Sequence, residues 1–120
     1  MTLSRTIAVA VVLLAAVAQA DVFTAICRVE SGGNRLAFNR GAAGVAQIRP
    51  CVVRDLDRHG YQYTLADRWS VAKSREIFAA YMRLYKAHTD SERARCWRSG
   101  RGQMNSNTAR AYWVRVRKGM

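Results

Sequence analysis

Glu30 stands at the end of a short amphipathic stretch, Ala25-Ile-Cys-Arg-Val-Glu-Ser-Gly-Gly-Asn34, and Gly41-Ala-Ala-Gly-Val-Ala-Gln-Ile48 follows at short range. One helical turn before Glu30 lie Ile26 and Cys27, and two turns before it lies Phe23, so a helix here sets the carboxyl on its apolar, inward side. Desolvation on that side disfavours the carboxylate and raises its pKa, which a general acid working near neutral pH requires. Position in the last turn, at the negative end of the helix dipole, pushes the same way. A carboxyl held there beside a glycine-rich turn and the amide of Gln47 is the arrangement expected of an acid acting on a sugar. The same spacing also fits a solvated helix-end glutamate.

The elements that must position this acid follow from local signals. Asp21 is a candidate N-cap for its helix, and Gly32-Gly33 supplies the break. Residues 34 to 45 read as a glycine-bearing loop with a short irregular hairpin, because Gly41 and Gly44 can take conformations closed to other residues. Pro50 opens a second helix to about His59, with Val52, Val53 and Leu56 on its apolar side and Gly60 as its stop. Asp67 or Ser70 caps the longest helix, which is expected to run to about His88 with Val71, Phe78, Tyr81, Met82 and Tyr85 as a core stripe. Thr89 and Glu92 form a capping-box signature for a helix bearing Trp97, ended by Gly100-Arg-Gly102, and a last helix starts near Asn107. With a single Pro and no alternating strand pattern, the chain reads as mainly α, with the hairpin after Glu30 as the one β contribution.

The 120 residues suit one domain, half of them are hydrophobic, and the formal charge is +12. Met1 to Thr6 carries one Arg, Ile7 to Val17 is uninterruptedly apolar, and Ala18-Gln-Ala20 fits a small-x-small cleavage site. Residues 1–20 therefore read as a signal peptide and 21–120 as the exported domain, in the periplasm or cell envelope. The apolar run is shorter than the about 20 residues of a spanning helix, so no stable transmembrane helix is expected, although an uncleaved leader could remain as a loose anchor. Cleavage removes Arg5 and no acid, and +12 less that one charge leaves +11. The basic residues are dispersed rather than gathered into an arm, and there is no aromatic-interleaved RNA-binding motif or zinc-finger spacing, so no nucleic-acid partner is expected. For an exported protein the matching polyanions are anionic cell-envelope polymers. A simply soluble, Arg-rich surface fits the same composition. His59 and His88 fall at helix ends and read as structural, which with the lack of Cys-x-x-Cys leaves no metal site and no cofactor to expect.

Glu30-Ser31-Gly32-Gly33-Asn34 followed by Gly41-Ala42-Ala43-Gly44 and Gln47-Ile48 resembles the paired motifs of the lytic transglycosylase and goose-type lysozyme superfamily. Ala94-Arg-Cys-Trp97-Arg-Ser-Gly100 is similar to that family's aromatic-Asn-small-Gly motif, and Thr108-Ala-Arg-Ala-Tyr112 to its closing Thr-x-x-x-Tyr pattern. The resemblance covers about Val22 to Lys118 in the family's order. It implies a reduced lysozyme-like fold (mainly α, formally α+β) and a catalytic Glu30. It also implies Ser31 positioning the acid or the sugar, Gly44 offering its backbone to substrate, and Gln47 and Tyr112 at the cleft. Trp97 can stack on a sugar face or fill the core. Phe38 and Tyr63 are further candidates for the groove. Arg98 stands where the family usually has Asn, and Arg101 where it usually has Pro, so a donor-and-acceptor wall has become donor-only. Three single pairings of Cys27, Cys51 and Cys96 are possible, and the helices that the family packs together favour Cys27 with Cys96, free buried thiols being the alternative.

The implied activity is cleavage of the β-1,4 bond between N-acetylmuramic acid and N-acetylglucosamine in peptidoglycan. A two-carboxylate glycosidase needs a partner roughly 5 to 9 Å from the acid. Asp55, Asp57, Asp67, Glu76, Asp90 and Glu92 read instead as helix-surface or capping residues. The single-acid transglycosylase route implied by the resemblance, with an acetamido-stabilised cation and a 1,6-anhydro product, needs no second acid. Peptidoglycan glycan strands are then the substrate, and a secretion, conjugation or phage apparatus is a further expected partner. A hydrolytic lysozyme, a peptidoglycan-binding scaffold of weak or no turnover, and a cationic envelope-disrupting protein remain the other readings.

Overall fold

Asp21 accepts a hydrogen bond from Thr24 N–H at 2.8 Å and so opens the first helix, α1 (Val22–Ser31). The computed structural model describes residues 20–120, so the expected leader, apart from Ala20, lies outside the described residues. Gly32 ends α1 in the left-handed conformation at φ 64°, and Gly33 N–H caps Cys27 O at 3.3 Å. A small antiparallel hairpin follows, β1 (Phe38–Asn39) with β2 (Ala42–Ala43), pairing Phe38 with Ala43 and Asn39 with Ala42. Then come α2 (Pro50–Arg58), a 3-10 turn (Leu65–Trp69), α3 (Val71–Leu84), α4 (Asp90–Ser99), a second 3-10 turn (Arg101–Gln103) and α5 (Asn107–Arg117). The described chain is mainly helical with one two-stranded hairpin. None of its helices is long and apolar enough to cross a membrane.

The core is continuous. Ile26, Ile48, Leu56, Ile77, Cys96 and Val116 are fully buried and come from the hairpin region and all five helices. α4 and α5 pack on each other and both pack on α1, while α2 lies against α3. Arg28 donates to Gly119 O at 2.9 Å and ties the end of the chain back to α1.

Capping signals are realised closely. Thr89 and Glu92 complete a reciprocal capping box, and Ser70 caps α3 by accepting from Lys73 N–H. Asp67 caps the preceding 3-10 turn through Thr64 N–H at 2.9 Å, so the two candidate caps serve two elements. α3 is shorter than expected: it ends at Leu84, because Lys86 turns left-handed (φ 56°) and Ala87 N–H closes onto Met82 O at 2.9 Å. His88 therefore lies outside it. Val71 is exposed rather than part of the core stripe, since it opens the helix beyond the packed turns.

A buried cation holds the hairpin in place. Arg68 is 7 % exposed and donates to Leu65 O at 2.9 Å, Gly41 O at 2.8 Å and Ile48 O at 3.1 Å. Burial lowers its pKa, and the three carbonyls offset the desolvation of the guanidinium. Gly44 fits beneath this clamp: its φ is +82°, and an added Cβ would lie 1.8 Å from Arg68 O.

Candidate active site

Glu30 sits half-buried in the last turn of α1. Tyr112, on α5 and 3 % exposed, donates its hydroxyl to Glu30 Oε2 at 2.7 Å. Burial first, then the adjacent carboxylate and the bond to it, hold the Tyr112 phenol above its ordinary pKa. It therefore stays a proton-bearing donor. This contact joins residues 82 apart in the chain, fixes one oxygen of the acid and leaves Glu30 Oε1 without a protein donor among the described residues.

Around the acid lies a cleft of about 280 Å³. Val29 and Val52 form its apolar part, Gln47, Trp97 and Tyr112 its polar and aromatic walls, and Arg49, Arg98 and Arg115 its cationic part. Glu30 is the one acid among these nine residues. A larger cavity of about 600 Å³ lies at the opposite end of α1, lined by Phe23, Phe78, Met82 and Ala87 with Asp21, Arg75 and other charged residues at its edge. It shares no residue with the Glu30 cleft. The smaller cleft is the better candidate because a half-buried acid, an amide and an oriented hydroxyl converge there. Among the described residues no three His, Cys, Asp or Glu side chains gather at a spacing that could hold a metal ion.

Gln47 lines the cleft from a left-handed backbone position (φ 54°), and its Nε2 donates to Ala37 O at 3.1 Å and Gly44 O at 3.0 Å. With the amide nitrogen engaged, Gln47 presents its carbonyl oxygen as an acceptor. Trp97 does both things its ring allows. It packs against Phe78 (centroids 5.2 Å apart) and Tyr81 (6.0 Å), donates Nε1 to Ala46 O at 3.2 Å, and exposes part of its surface in the cleft.

Of the two roles expected of Ser31 the sugar contact is corrected, and so is the substrate contact expected of Gly44. Ser31 does not line the cleft; its hydroxyl lies 2.6 Å from Val45 O and 3.1 Å from Cys27 O, which fastens the end of α1 to the loop carrying Gln47. Gly44 does not offer its backbone to a ligand either. It is buried, its N–H donates to Ala37 O at 2.8 Å, and its carbonyl accepts from Gln47. Phe38 stacks on Trp69 at 6.2 Å, and Tyr63 stacks on Tyr61 and reaches Glu76, all away from the Glu30 cleft.

The Cys27–Cys96 disulfide is not formed. Both residues are free thiols buried in the core, where they fill space as small apolar side chains, and Cys51 is free and exposed. Burial pushes the Cys27 thiol up to about 12 and raises Cys96 as well, so neither is a ready thiolate.

The sequence reading missed Arg49 and Arg115. The signal was available: Arg115 lies three residues after Tyr112 on one helix face, and Arg49 is the N-cap residue of α2, three before Val52. Neither a family model, nor a curated protein, nor a solved structure matches this chain.

Proposed function

We propose that this chain cleaves the β-1,4 bond between N-acetylmuramic acid and N-acetylglucosamine in peptidoglycan, without hydrolysis, in the manner of a lytic transglycosylase. The observation that carries the reading is the Glu30–Tyr112 contact: one acid in the cleft, held at 2.7 Å by a buried hydroxyl, with its second oxygen open. A single carboxylate suits a mechanism in which one group performs both proton transfers.

In that mechanism protonated Glu30 gives its proton to the glycosidic oxygen as the C1–O4 bond breaks. The acetamido oxygen of the muramyl residue attacks C1 and carries the developing positive charge. Glu30, now a carboxylate, takes the proton from the C6 hydroxyl, whose oxygen displaces the acetamido oxygen from C1 and closes the 1,6-anhydro ring. Attack from within the same sugar has a high effective concentration, so no external water is consumed. Tyr112 orients the acid, and its hydroxyl stabilises the carboxylate formed after the first transfer. The Gln47 carbonyl is suited to accept a hydrogen bond from an acetamido N–H or a sugar hydroxyl. The same assignment implies an exported protein acting in the periplasm or cell envelope.

The test compares the purified chain with Glu30→Gln on isolated sacculi, with mass spectrometry of the released muropeptides. The expected result is 1,6-anhydro-muropeptides from the native chain and a loss of roughly 100- to 10,000-fold in the variant, the span of general acid-base contributions. Equal release by both proteins, or release by neither, overturns the enzymatic reading. Products with ordinary reducing ends replace transglycosylation with hydrolysis.

A further inference from the structure

The Glu30 cleft carries more positive charge than its proton chemistry uses. Arg49, Arg98 and Arg115 reach it from three different elements: the N-cap of α2, the last turn of α4 and the last turn of α5. Among the described residues none of the three pairs with an acid. Some arginines elsewhere in the fold are engaged, Arg75 with Asp21, Arg93 with Asp90, Arg68 and Arg95 with backbone carbonyls, and others such as Arg54 and Arg110 stand singly on the surface; what sets Arg49, Arg98 and Arg115 apart is their convergence on one cleft. Three like charges around one cleft repel one another, and the single carboxylate between them is already held by Tyr112. Their planar donor faces remain open to an anion, and the bidentate partner that fits a guanidinium is a carboxylate.

We propose that Arg49, Arg98 and Arg115 make this cleft select glycan strands whose muramyl residues carry a free carboxylate. The inference rests on the reading of the cleft as a glycan site, but it concerns binding and needs no turnover. Two sources supply the same chemistry: carboxylates of the attached peptide stem, or the lactyl carboxylate left when the stem is removed. Carboxylates spaced along a strand can meet several cations at once, whereas the cleft itself, at about 280 Å³, holds only the part of the strand around the scissile bond.

The test uses the full chain carrying Glu30→Gln, so that the strand is not consumed, in pull-down on sacculi whose glycan is first coupled to beads, so that strands stay on the solid phase when stems are removed, in four forms. These are intact sacculi, sacculi stripped of stems by an amidase, and each of those with its carboxylates coupled to neutral amides. Amidation is expected to weaken binding at least about tenfold, an effect that shrinks as salt is raised. Adding Arg49→Gln, Arg98→Gln or Arg115→Gln is expected to lower affinity for charged strands by roughly three- to tenfold each and for amidated strands by less than about twofold. All three side chains are exposed, so unchanged circular dichroism and melting serve as the folding control. Retained binding to stripped sacculi assigns the lactyl carboxylate; loss on stripping assigns the stem. Equal binding to charged and amidated strands overturns the proposal. So does an equal loss from Arg54→Gln and Arg110→Gln, exposed arginines outside the cleft, since general charge would then account for binding. If carboxylate selection holds while the native chain releases no anhydro product, the catalytic reading fails and this one stands. If cleavage occurs without selection, this one alone fails.

Discussion

The two ends of α1 open onto two cavities that use the same residue types in opposite ways. At its N-terminus the larger cavity has an apolar floor, and both of its acids are matched: Asp21 meets Arg75, Asp90 meets Arg93, and the Arg75 guanidinium also lies 4.6 Å over the Phe23 ring, which leaves Arg83 as its one arginine without an acid. At its C-terminus the smaller cleft leaves three guanidinium groups unmatched around one acid held by a buried phenol. Asp21 works within the fold, as a helix cap and an ion-pair partner. Glu30 caps nothing, and its second oxygen is open. The difference separates charge that stabilises the fold from charge available to a ligand, which cavity size alone does not.

Paired substitutions at the two acids are the strongest way to break this comparison. Glu30→Gln keeps an acceptor for Tyr112 and should lower muropeptide release by roughly 100-fold or more while leaving the melting temperature essentially unchanged. Asp21→Asn should do the reverse, leaving release within about twofold, as expected of a surface change remote from the cleft. If the two variants lose activity alike, the assignment of chemistry to one end of the helix is wrong.

Gly44→Ala is expected to have the next largest effect, on stability. It forces a side chain into a left-handed conformation and against Arg68 O, so a loss of roughly 3 kcal/mol or more follows in chemical denaturation. Because the same turn carries Gln47 into the cleft wall and holds the Ala46 carbonyl that accepts from Trp97, release should fall with it. Tyr112→Phe is milder. It removes one hydroxyl from a buried ring, which should cost about 1 to 2 kcal/mol and lower release by roughly tenfold, since the acid loses its orienting partner. A Tyr112→Phe chain that melts lower yet cleaves normally would make the contact structural only.

What the sequence disclosed divides along the range of the physics involved. Asp21, Ser70, Thr89 with Glu92, Gly32 and the Gly41–Gly44 hairpin act over a few residues, and their roles in the fold could be read directly from spacing. The end of α3 could not, because a lysine rather than a glycine takes the left-handed position. Arg68 was illegible because its three acceptors are backbone carbonyls, which no residue pattern announces. Within the site, Glu30 was singled out by helical position, but its contact with Tyr112 spans 82 residues and was suggested only by resemblance. The convergence of Arg49, Arg98 and Arg115 is likewise a tertiary fact: the resemblance put Arg98 at the wall, but Arg49 and Arg115 looked like two more cations in a basic chain. Ser31 and Gly44 were the converse case, motif residues whose polar groups the fold itself uses.

The smallest expected effect is also the most specific to the N-terminal cavity. Partial burial favours protonation of Asp21, but the hydrogen bond from Arg75, those from the Thr24 backbone and side chain, and the positive charge of Arg75 outweigh it and lower the pKa from 3.8 to about 2. A carboxylate whose folded pKa is depressed adds stability that is fully present above its unfolded value and is lost as pH falls through the folded value. The contribution should therefore hold above about pH 4 and fade toward pH 2. Because the side chains of Asp21 and Arg75 are half exposed, solvent and salt screen the pair and the effect is modest. Asp21→Asn isolates it, since asparagine still caps a helix but carries no charge. The melting difference between the native chain and Asp21→Asn should be measurable at pH 6, shrink below pH 4 and close near pH 2. No difference at pH 6, or one that stays constant down to pH 2, would mean that the ion pair is not what Asp21 contributes, and that the charges at this end of α1 are no better matched than those around Glu30.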